Sequence, residues 1–100
     1  MATYKLRPQA ASDLRTVRRW IARDDPHRAR TFIVELTEHF RRLAGHRGRH
    51  RVLHDIGADI RRAVHSNYNI YYRRVGENGT DVVVVRVLHA AQDLSKIEFE

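Results

Sequence analysis

The stretch "DVVVVRVL" (residues 81–88) places valine on both parities of an extended chain. In a strand, alternate residues face opposite sides of the sheet, so both faces here are apolar. Such a strand belongs in a sheet interior, with cover on each face. By parity, Val82, Val84, Arg86 and Leu88 share one side, and Val83, Val85 and Val87 share the other. One side must meet helices. The other is covered by another part of this chain or by a partner. Arg86 interrupts the run, and a buried guanidinium without a partner is costly. It must therefore pair with a carboxylate or open onto a groove.

Helical periodicity precedes this strand. Ala10, Leu14, Val17 and Ile21 recur at 3.6-residue spacing, with Trp20 beside them, which predicts a helix over 9–23. "RDDPHRA" then marks a boundary, with Asp25 as N-cap and Pro26 as first helical residue. Ala29, Phe32, Ile33, Leu36, Phe40 and Leu43 continue the period, predicting a second helix over 26–44 that Gly45 stops at C′. The short break makes the two helices an antiparallel hairpin. "TYKLRP" predicts a first strand over 3–7. The segment 45–59 reads as a loop with a short extended piece at 51–54.

From Ile60 the period changes to two. "IRRAVH" (60–65) and "YNIYYRRV" (68–75) read as strands joined at Ser66-Asn67, and Asn78-Gly79 predicts a hairpin into the last strand. A helical turn is expected in "QDLSK". The order is β-α-α-β-β-β. The predicted fold is α+β, one domain over 1–100, with a helical hairpin packed on a mostly antiparallel four-stranded sheet.

Nineteen Lys and Arg against 12 Asp and Glu give a formal charge of +7, and only Lys5 and Lys96 are lysine. Arginine forks suit carboxylates and phosphates, so an acidic partner is expected. The sequence has no cysteine, no 18-residue apolar run and no apolar signal region, which points to the cytoplasm and away from a membrane. No P-loop, Rossmann fingerprint, HExxH, CxxC or nucleophile elbow is present, and no metal or cofactor is expected. His46, His50 and His54 repeat every fourth residue, but Gly45 and Gly48 oppose the helix that would align them as ligands. His39 reads as a surface residue.

The three later strands each carry arginine: Arg61 and Arg62, Arg73 and Arg74, and Arg86. Whichever face is open, each strand places one there, predicting a basic cluster. Solvated or internally paired sheet residues are the alternative. Tyr68, Tyr71 and Tyr72 read as core or rim packing, with base stacking as the alternative. His89, at the end of the internal strand, either serves proton transfer or bonds a backbone carbonyl.

"YKLRPQAASDL", "IRRAVHSNYNIYYRRV" and "VVVVRVLHAAQDL" together resemble the ParE branch of the ParE/RelE toxin superfamily. The resemblance spans nearly the whole chain in the same element order. It implies the toxin of a bacterial type II toxin–antitoxin pair, of the plasmid-stabilisation kind, that poisons DNA gyrase. A ParD-like antitoxin would neutralise it in a hetero-oligomer, with the second apolar sheet face and the helical hairpin as its groove. Trp20, Tyr71, Tyr72, Val83 and Val85 are candidate antitoxin contacts. Arg61, Arg62, Arg73, Arg74, Arg86 and His89 are candidate target contacts. The alternative implied by the same resemblance is a RelE-like, ribosome-dependent mRNA interferase. There Arg61, Arg73 and Arg86 would supply cations and His89 proton transfer, and only in that case would the chain touch nucleic acid directly.

Overall fold

The computed structural model describes residues 2–45, 52–53, 56–57 and 59–99. Its elements are β1 (Tyr4–Leu6), α1 (Pro8–Ala22), α2 (Pro26–Leu43), β2 (Arg61–His65), β3 (Tyr68–Val75), β4 (Asp81–His89) and a 3-10 turn at Leu94–Lys96. The sheet order is β1-β4-β3-β2. β1 pairs parallel with β4, and the other pairings are antiparallel. The two helices pack on one face, so the α+β fold expected from the period change is the one observed.

Local chemistry sets the boundaries. Asp25 accepts a hydrogen bond from the Arg28 N–H at 3.0 Å, and Pro26 follows at the first helical position. Beyond α2, Gly45 takes a positive φ of 91° and donates to the Thr80 carbonyl at 2.8 Å. That conformation favours glycine, and it lets the helix end turn into the sheet. Gly79, with φ 63°, closes the β3–β4 hairpin where Asn78-Gly79 predicted it. The tighter β2–β3 turn puts Ser66 at φ 55°.

The apolar residues divide between the two faces of the sheet. On the helix side, Val17, Phe32, Leu36 and Phe40 meet Ile70, Tyr72, Val82, Val84 and Val87. On the other side, Ile60, Tyr71, Val85 and Leu88 lie under Leu53, Ile56, Leu94, Ile97 and Phe99. The chain therefore covers much of its own second face, and Phe99 meets Tyr71 edge-on at 4.9 Å between ring centroids. Of the extended piece expected at 51–54, Val52 bridges Arg61 antiparallel. Arg51 and His54 lie outside the described residues.

Simple parity fails along β4. Tyr71 pairs with Arg86 but Tyr72 pairs with Val84, so Val85 is an extra residue, a β-bulge. Val87 therefore joins Val82 and Val84 on the helix side, while Arg86 and Leu88 join Val83 and Val85 on the other. The sorting expected from strict alternation is corrected from Arg86 onward.

His39 is also not a plain surface residue. Its Nδ1 lies 2.8 Å from Nδ1 of His65 across the α2–β2 contact. One ring must donate and the other accept, so full protonation of both breaks the bond. Burial lowers the His65 pKa below its ordinary 6.5, the nearby Arg42 and Arg28 add to this, and Glu35 opposes it. Protons then bind the unfolded chain more tightly than the folded one. The stabilisation is present above about pH 6.5 and is lost as pH falls through the lower folded-state value. Urea unfolding between pH 7.5 and 5 should show falling stability, and His65→Gln should flatten that slope.

Candidate functional site

The geometry around Arg86 begins with the shortness of β1. This strand pairs with Val82, Val83 and Val84, and Arg7 N–H bonds the Val84 carbonyl at 2.9 Å. The chain then turns into α1 and leaves the outer edge of β4 without a strand neighbour. Asp13 of α1 fills the gap. Its Oδ2 accepts the Val87 N–H at 2.9 Å and Arg86 Nε at 2.8 Å, and its Oδ1 accepts Arg86 Nη2 at 2.9 Å. Arg86 Nη1 donates to the Glu98 carbonyl at 3.1 Å, so the same guanidinium ties α1, β4 and the C-terminal segment. Both side chains are nearly buried, at 12% and 11% exposure. Donating to the Asp13 carboxylate raises the Arg86 pKa further, against the opposing effect of burial.

Asp13 is the residue that sequence reading missed. It sits three residues after Ala10 and four before Val17, within the apolar stripe of α1. An acid on that stripe, facing an internal strand that carries one arginine, was the available signal.

Beside this pair runs a groove of about 570 Å³ between α1 and the outer edge of β4. Gln9, Thr16 and Trp20 form one wall, and Tyr68, Leu88 and His89 another. Trp20 is 62% exposed, with the Arg23 guanidinium 5.1 Å from its ring centroid. His89 is exposed, stands edge-on to Tyr68 at 5.3 Å, and accepts the Ala91 N–H through Nδ1 at 3.1 Å. Its backbone partner is thus an N–H and not the carbonyl expected. Burial raises the Tyr68 pKa, so that phenol holds its proton.

The expected basic cluster is divided. Arg86 is neutralised by Asp13. Arg74 turns to the helix side, where Nη1 donates to the carbonyl of Leu43, the last residue of α2, at 3.0 Å. A cation there complements the helix C-terminus. Its guanidinium also lies 5.6 Å from the Tyr72 ring centroid. Arg62 is exposed on the far face, and Arg61 and Arg73 are half-buried. Among the candidate antitoxin contacts, Tyr71, Tyr72 and Val85 are fully buried, Val83 is half-buried, and Trp20 is open. The same burial removes Tyr68, Tyr71 and Tyr72 as base-stacking platforms. Among the described residues no group of three or more His, Asp or Glu could hold a metal, and no helix is long and apolar enough to cross a membrane. His46, His50 and His54 lie outside the described residues.

Comparison with known proteins adds three findings. A family model described as the ParE toxin of the type II toxin–antitoxin system, parDE, matches residues 4–94. The fold is similar to a chain of the chromosomal ParDE toxin–antitoxin system from P. aeruginosa (TM-score 0.64, 16% identity, 89% of this chain and 96% of that one). It is also similar to a chain of the RelBE2 toxin–antitoxin complex from Mycobacterium tuberculosis (TM-score 0.54, 21% identity, 88% and 96%). No curated protein matches the sequence.

Removing one member of a nearly buried ion pair strands the other, at a cost of about 3–5 kcal/mol. Asp13→Ala should therefore lower stability by that order in urea denaturation, and should also orphan the Val87 N–H. Arg28→Ala, which breaks the exposed and solvent-screened pair with Glu35, should lower stability far less in the same measurement.

Proposed function

This chain belongs to the ParE toxin family of type II toxin–antitoxin systems, and from that premise we propose that it poisons DNA gyrase in the cytoplasm and is held inactive by a ParD-like antitoxin. The observation that carries this reading over the mRNA interferase is the state of Arg86. A nuclease of the alternative kind needs a free cation at the scissile phosphate and a paired acid and base. Here Arg86 is bound to Asp13. The carboxylate nearest the groove accepts three N–H groups and is committed too. His89 spends Nδ1 on the Ala91 N–H, beside a phenol that keeps its proton. This arrangement supports a toxin that acts by binding.

The antitoxin reading rests on the α1–β4 groove. Asp13 already satisfies the Val87 N–H on the edge of β4 that β1 leaves unpaired, which disfavours strand addition there. A helix laid into the groove against Trp20, Val17 and Leu88 fits better. Acidic residues on that segment would complement the +7 charge. The target contacts remain Arg61, Arg62 and Arg73 on the sheet, with Arg74 and Arg86 serving the fold.

Purified chain added to gyrase and relaxed plasmid should abolish supercoiling and accumulate cleaved DNA. Undiminished supercoiling at excess protein, together with codon-dependent RNA cuts on induction, would replace this reading with the interferase. For the antitoxin, Trp20→Ala should weaken binding of the ParD-like partner by about 30-fold in calorimetry, as for a central aromatic anchor worth about 2 kcal/mol.

A further inference from the structure

The arginines of the two helices are treated differently by their surroundings. On α2, Arg28 pairs with Glu35 at 2.6 Å and Arg41 pairs with Glu38 at 3.1 Å, while Arg30 and Arg42, twelve residues apart, are exposed with no carboxylate partner among the described residues. On α1, Arg15, Arg18 and Arg19 are exposed, as is Arg23 at its C-terminal cap, and among the described residues none of them has a carboxylate partner. The one acid of α1, Asp13, is turned inward to Arg86. At 100° per residue the four arginines fall within about 140° of one another around the helix. Arg15 to Arg23 is eight residues, a row about 12 Å long at 1.5 Å per residue.

We propose that this face of α1 binds the phosphates of duplex DNA. Gyrase poisoning asks for no contact between the toxin and nucleic acid, so this surface goes beyond that reading and stands on its own charge pattern. The row is about as long as the major groove of B-DNA is wide, so its two ends reach phosphates on both walls. Guanidinium forks take phosphate oxygens two at a time. A duplex carries one negative charge per about 1.7 Å of axis, so it meets a band of cations at any register. An acidic peptide would have to match that row residue by residue. Trp20 lines the groove beside the row, and the Arg23 guanidinium at the row's end lies 5.1 Å from its ring centroid.

The experiment is fluorescence anisotropy with a labelled 20-base-pair duplex and the full chain over a salt series. Each phosphate contact contributes about 0.9 to the slope of log affinity against log salt. Changing Arg15, Arg18, Arg19 and Arg23 to Gln should lower that slope by about 3 to 4 and weaken binding more than tenfold at 100 mM salt. A control with Arg30, Arg41, Arg42 and Lys96 changed to Gln loses the same charge and should change binding by less than about threefold. Circular dichroism and a melting curve check that both sets are folded. If the fourfold α1 variant does not fold, Arg15→Gln with Arg19→Gln should still lower the slope by about 2. Equal losses in the control would overturn the proposal, because net charge alone would then explain binding. So would an unchanged slope in the α1 variant. Loss of binding to poly-glutamate without loss of binding to DNA would also overturn it, and would reassign the face to an acidic protein.

Discussion

The carboxylate of Asp13 holds together the part of the fold that repeats of valine cannot. β1 is three residues long and leaves the outer edge of the central strand open past Val84. An unpaired buried N–H costs about as much as a lost hydrogen bond. Asp13 answers the Val87 N–H and both near nitrogens of Arg86 at once. Arg86 then reaches the Glu98 carbonyl and binds the C-terminal segment to the same point. Each member of this arrangement satisfies another, so α1, β4 and the chain end dock as one unit.

The β-bulge at Val85 makes that unit possible. It adds one residue to β4 against β3, which returns Val87 to the helix side and sets Arg86 and Leu88 on the far side. Without it, Arg86 would sit among the helix-side residues Phe32, Leu36 and Phe40. With it, the guanidinium lies at the sheet edge, where α1 can reach it. The cover on the far side comes from Leu94, Ile97 and Phe99, together with Leu53 and Ile56. A sheet with valine on both faces is thereby closed largely by its own chain.

This redistribution changes what the basic residues do. Arg74 closes the end of α2, and Arg86 fastens α1, so two of the sheet arginines serve the fold. Among the cations left in the open are those of α1 and, on the sheet, Arg62. A positively charged face on one helix thus lies beside the groove that bears Trp20.

Much of the fold was legible in the residues. The change from a 3.6 period to a period of two, the Asp25-Pro26 start, Gly45 and Asn78-Gly79 are local signals, and local signals survive in one dimension. They sufficed for the two helices, the three long strands and the internal place of β4. The family resemblance was carried by the same segments. The site was less legible, because the partners of Arg86 lie 73 positions away at Asp13 and 12 away at Glu98. Strict alternation also misassigned the far half of β4, since a bulge depends on the register of a neighbouring strand. His39 read as a surface residue until α2 packed it on His65. The sequence by itself determined which segments are helix and strand, and that Arg86 must find a partner. Only the tertiary structure decided that the partner is Asp13, because α1 meets the open edge of β4 only where β1 ends.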